Sequence, residues 1–103
     1  METLRLQKLK EMEVQKPDDA FLKYAIAQEY IALGNRQEAL KSYLLLTEHF
    51  ADYLPTYYQL GKLYEENEET EKALKAYEKG IEIARQQNNQ KTLQELKAAI
   101  AML

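Results

Sequence analysis

The chain has 103 residues, one histidine, no cysteine and a formal net charge of −3, a length that suits one domain burying about 60–70% of the surface its unfolded chain exposes. Without cysteine, disulfide scaffolds, cysteine-based zinc sites and thiol chemistry are excluded. The acidic balance argues against nucleic acid or an anionic membrane as partner, because both are held mainly by clustered Lys and Arg.

Two prolines, three glycines and 30% charged residues read as helical, and the predicted elements are six helices. The first, within "METLRLQKLKEMEVQK", has charge every few positions and no apolar run of signal-peptide length, so a cytoplasmic, soluble protein is expected. Its apolar face is Leu6, Leu9 and Met12. Gly34 ends the second helix in a left-handed conformation, and Asn35 with Glu38 three residues on opens the third. Pro55 suits the first turn of the fourth, where its missing N–H costs nothing. Asn67 takes the helix-ending role in the next turn. After "RQQNNQ" the last helix is predicted to begin at Thr92, boxed with Glu95, and to turn Leu93, Leu96, Ile100 and Leu103 inward.

Sliding the chain against itself by 34 residues brings Ile26 onto Leu60, Ala27 onto Gly61, Tyr30 onto Tyr64, Ala39 onto Ala73 and Tyr43 onto Tyr77. "KYAIAQEYIALGNRQEALKSY" and "YYQLGKLYEENEETEKALKAY" are two copies of one helix-turn-helix unit. Within a unit, Tyr57, Leu60, Gly61 and Tyr64 share a helix face, as do Ala73, Tyr77, Gly80, Ile81 and Ala84. Antiparallel helices approach closely only where a side chain is nearly absent, so Gly61 and Ala73 are expected as gaps, with Tyr64 and Tyr77 as fillers. The recurring Tyr30, Tyr43, Tyr64 and Tyr77 are expected in the core.

With its Leu60, Gly61, Tyr64, Ala73, Tyr77 series, and Tyr57 in the usual tryptophan place, the chain resembles the tetratricopeptide repeat (TPR) family. The first copy departs from the pattern at Lys23, in the tryptophan place, and at Leu46, where a small residue is usual. Pro17 fits the closing proline of an earlier unit. The resemblance implies an all-α fold, a right-handed α-solenoid of antiparallel helix pairs. It comprises a half repeat over 1–17, repeats over 20–53 and 54–87, and a C-terminal capping helix over 88–103. The last helix falls outside the 34-residue register, as a cap that closes a stack does.

Few residues carry the chemistry of a catalytic or metal site. His49 stands near a helix end, where a cation complements the dipole, and nothing supplies a matched nucleophile, a metal-ligand spacing or a phosphate loop. No cofactor and no enzymatic activity are expected. The glutamates of "EENEETE" read as a solvated helix-helix turn. A second stripe on the first helix of each unit, Phe21, Tyr24, Gln28 and Ile31 with its copy Pro55, Tyr58, Lys62 and Glu65, lies about a third of a turn from the packing face. In the family that face lines a concave groove that binds peptides. The resemblance therefore implies a non-catalytic scaffold taking a peptide or protein segment, against an alternative reading of self-association into a homo-oligomer through Leu4, Leu6 and Val14.

Overall fold

The computed structural model describes residues 2–103, which form six α-helices and no strand: α1 (Leu4–Gln15), α2 (Ala20–Ala32), α3 (Arg36–His49), α4 (Pro55–Glu66), α5 (Thr70–Gln86) and α6 (Gln90–Ala101). They gather into two compact units, Met1–Phe50 and Ala51–Leu103. In the first, α1 and α3 both pack on α2; in the second, α4 and α6 both pack on α5.

The starts of α1, α2, α3 and α6 follow from short polar side chains that accept otherwise unpaired backbone N–H groups. Thr3 Oγ1 accepts from Leu6 N at 3.1 Å, Asp19 Oδ1 from Leu22 N at 3.3 Å and Asn35 Oδ1 from Glu38 N at 3.3 Å. The last helix begins two residues before the predicted Thr92, because Asn89 caps it by accepting from Thr92 N at 3.0 Å. Pro55 occupies the first turn of α4, as expected.

Three turns share one closure. Gly34 at φ 76° lets Asn35 N reach Tyr30 O at 2.9 Å; Glu68 at φ 60° and Asn88 at φ 56° do the same for Glu69 N to Tyr64 O and Asn89 N to Ala84 O, both 2.9 Å. The left-handed residue of the second turn is thus Glu68 and not Asn67, which keeps φ −88°. The reason is the closure of the turn, Glu69 N on Tyr64 O, which places the left-handed residue directly before Glu69 and overrides the local preference of Asn for that conformation. Glutamate there costs about 1–2 kcal/mol of steric strain that glycine avoids.

The tertiary core also corrects the expected roles. Tyr43 and Tyr77 are fully buried, whereas Tyr30 and Tyr64 are half-buried, each with a lysine ammonium above its ring: Lys10 at 5.5 Å and Lys72 at 5.8 Å. The atoms nearest to Gly61 across the helix contact are those of the Tyr77 ring. A Cβ built there would lie 2.6 Å from Tyr77 Cδ1 and closer still to Cε1 and Cζ. Leu6 is fully buried against unit 1, so it is not an external contact; Leu4 and Val14 remain exposed. Leu93 and Leu96 turn inward as predicted, but Leu103 is 41% exposed.

The two departures in the first copy compensate one another. In unit 2, Tyr57 and Leu96 meet at Gly80, where a Cβ would lie 2.8 Å from Tyr57 Cβ and 2.9 Å from Leu96 Cδ1. Thirty-four residues earlier the places of Tyr57 and Gly80 hold Lys23 and Leu46. The bulk has moved from the first helix to the second: Leu46 is buried, and Lys23, relieved of filling the core, ion-pairs with Glu13 of α1 at 2.9 Å and lies 5.8 Å over the Phe50 ring. The large buried side chain therefore comes from the second helix in unit 1 and from the first helix in unit 2.

Candidate interaction surface

Helical spacing places Phe21, Tyr24, Gln28 and Ile31 along one stripe of α2, and Pro55, Tyr58, Lys62 and Glu65 along one stripe of α4. Phe21 is 59% exposed; Tyr24, Gln28 and Ile31 are half-buried. Gln28 Nε2 donates to the Tyr24 hydroxyl at 2.8 Å. The Tyr24 ring leans on buried Tyr43, with centroids 6.0 Å apart and planes tilted by 54°. Unit 2 repeats this pair: half-buried Tyr58 leans on buried Tyr77 at 6.1 Å and 47°. Tilted aromatic contacts of this kind hold the outer ring in place. The two tyrosines of the stripes are therefore tied to the core, more than sequence spacing revealed. Lys62 is exposed and has no ion-pair partner among the described residues.

The stripes differ at their ends. Glu65 accepts a hydrogen bond from the buried Tyr77 hydroxyl. Its counterpart 34 residues earlier is Ile31, and the Tyr43 hydroxyl is buried with no hydrogen-bond partner among the described residues. Burial raises the phenol pKa of Tyr43, Tyr57 and Tyr77 above the usual value near 10. For Tyr77 the Glu65 carboxylate, which needs the phenol proton, adds to burial. For Tyr57 the charges of Asp52 and Glu82 add to it.

A group whose folded pKa lies above its unfolded one contributes stability that is complete below the unfolded value and is lost as pH rises past it. Alkali should therefore destabilise the fold from about pH 10 upward, by about 1.4 kcal/mol per pH unit for each such tyrosine. Thermal melts at rising pH, read beside phenolate absorbance, check this: Tm should fall while three of the eight tyrosines ionise late. A Tm that is level through this range would contradict the buried-hydroxyl assignment.

A feature that sequence reasoning missed is a cleft of about 560 Å³ in unit 1, walled by α1 and α3 over α2, with Pro17, Tyr30, Leu45 and Phe50 among its apolar lining and Lys10 and Lys23 at its polar edge. Lysine in the usual tryptophan place was the signal that could have pointed to it. His49 also lines it, exposed at the last position of α3. Among the described residues no group of His, Cys, Asp or Glu is placed to hold a metal ion, and no helix is long and apolar enough to cross a membrane.

The sequence profile of the tetratricopeptide repeat matches residues 22–48 and 54–87. Among solved structures, the crystal structure of a tetratricopeptide repeat domain protein from Salinibacter ruber is 44% identical, with a TM-score of 0.78, over 82% of this chain and 94% of that one. A solution NMR structure of a tetratricopeptide repeat domain protein from the same organism is also 44% identical, with a TM-score of 0.80, over 84% and 87%. A protein from Bordetella parapertussis shares the fold at 20% identity, with a TM-score of 0.80, over 99% and 88%. The search of curated proteins found no match.

Proposed function

The chain belongs to the tetratricopeptide repeat family, an all-α helical repeat of about two units that serves generally as a protein–protein interaction module, and on that premise we propose that it is a non-catalytic module whose stripes on α2 and α4 hold a peptide or a segment of a partner protein. The observation that carries the reading is Phe21. A phenylalanine 59% exposed on a helix whose other face is core keeps most of its surface in solvent, and exposed aromatics beside rigid neighbours are what binding hot spots are made of. Tyr24 and Tyr58, each backed by a buried ring, supply apolar area already ordered before binding. The Lys62 ammonium offers a donor to peptide carbonyls or carboxylates.

The test is selection of a displayed random-peptide library on the immobilised wild-type chain, followed by titration of the enriched peptides. Phe21→Ala should weaken them about tenfold or more and leave Tm unchanged, since the ring contributes little to the core. Tyr24→Ala should weaken binding and lower Tm together. Failure to enrich any peptide, or peptides indifferent to Phe21→Ala, would refute the stripe as the binding surface.

A further inference from the structure

We propose that α3 is a self-association surface through which two copies of this chain pair antiparallel about a two-fold axis, independently of the stripes on α2 and α4. The core side of α3 is Ala39, Tyr43 and Leu46, all buried. The opposite side is the stripe Lys41, Leu44, Leu45 and Glu48, within about one-third of the helix circumference at 100° per residue. Water should face charged or polar groups there. Instead the centre of the stripe holds two leucines, 40% and 55% exposed.

Unit 2 provides the internal comparison. Thirty-four residues on, the four places hold Lys75, Glu78, Lys79 and Glu82, all exposed and all charged. The flanking lysine and glutamate are the same in both copies of the repeat. Only the centre differs, from an ionised pair to a leucine pair.

The order Lys41, Leu44, Leu45, Glu48 is self-complementary. An axis passing between Leu44 and Leu45 sets Leu44 against the partner's Leu45, and the Lys41 ammonium against the partner's Glu48 carboxylate, with both contacts made twice, as an isologous interface requires. Glu48 has no ion-pair partner among the described residues, and Lys41 reaches only Glu38 at 3.7 Å across an exposed pair, so both charges are available to a second copy. Leu45 also stands on the rim of the unit 1 cleft beside Pro17 and Phe50, which gives the partner's leucines an apolar seat. One helix face and a cleft rim make a small interface, below about 1,200 Å², so the association should be weak and reversible.

Sedimentation equilibrium of the whole chain from micromolar to millimolar concentration is the measurement. The wild type should pass from monomer to dimer and no further. Replacing the leucines by the residues of the second copy, Leu44→Glu with Leu45→Lys, should leave it monomeric throughout with an unchanged helical spectrum and melt. Lys41→Glu should weaken the dimer about tenfold through two lost pairs and two new repulsions, and adding Glu48→Lys should restore it. A wild type that stays monomeric overturns the proposal. So does a dimer that survives the leucine replacements, which would place the contact elsewhere, such as Leu4 and Val14 on α1; and a charge reversal that fails to rescue overturns the antiparallel register.

Discussion

Gly61→Leu should abolish cooperative folding of unit 2, and even Gly61→Ala should lower its stability by about 1–3 kcal/mol, the usual range for overpacking. Alanine stands at the equivalent place in the first copy, Ala27, and a buried tyrosine, Tyr43, at the place of Tyr77. The difference lies in the ring. Each ring is flanked by an outer tyrosine, but among the described residues the Tyr43 hydroxyl has no hydrogen-bond partner, while Tyr77 is anchored through its hydroxyl to Glu65. A methyl 2.6 Å from Tyr77 Cδ1 must push an anchored, fully buried ring. A mid-helix glycine costs about 0.5–1 kcal/mol relative to alanine, and the close contact with Tyr77 offsets that cost. Thermal and urea melts of the two variants decide the matter: Gly61→Leu melting like the wild type would mean that α4 and α5 do not depend on this contact.

Removing α6 by ending the chain at Asn89 should have an effect of similar size. Leu93 and Leu96 are buried, and each forfeits about 1.5–3 kcal/mol when lost, against a total stability of about 5–15 kcal/mol. Leu96 lies directly over Gly80, so its removal also wets the glycine face of α5 and the base of Tyr57. Half-buried Ile100 and Ala99 pack on the same core and add to the loss. The shortened chain should aggregate or melt far below the wild type. Leu103→Ala, at a site 41% exposed, should change Tm little and serves as the control. A shortened chain that remains monomeric with the original Tm would show that α6 contributes nothing to the core.

The amino-acid sequence by itself determined the helical class, the 34-residue period and the places of closest helix approach, because these depend on local propensity and on spacing that repeats. Gly34, Asn35 and Pro55 behave in the structure as their own backbone chemistry dictates. What only the tertiary structure decided is how each pair of positions shares volume and hydrogen bonds. Lys23 and Leu46 read singly as departures from the pattern, yet they are one exchange of bulk with Tyr57 and Gly80, visible only when both helices are packed. Tyr30 and Tyr64 recur as faithfully as Tyr43 and Tyr77, but lie half-buried beneath lysines, since a period shows that two positions are equivalent and not how deeply either is covered. Glu68 adopts the left-handed conformation that local preference assigns to Asn67, because closure of the turn on Tyr64 sets the backbone before the side chain is considered. The stripes of α2 and α4 were legible as periodic faces; that Tyr24 and Tyr58 rest on core rings while Phe21 stands free depends on neighbours 19 residues away in the chain, and contacts across helices are a property of packing that no local pattern encodes.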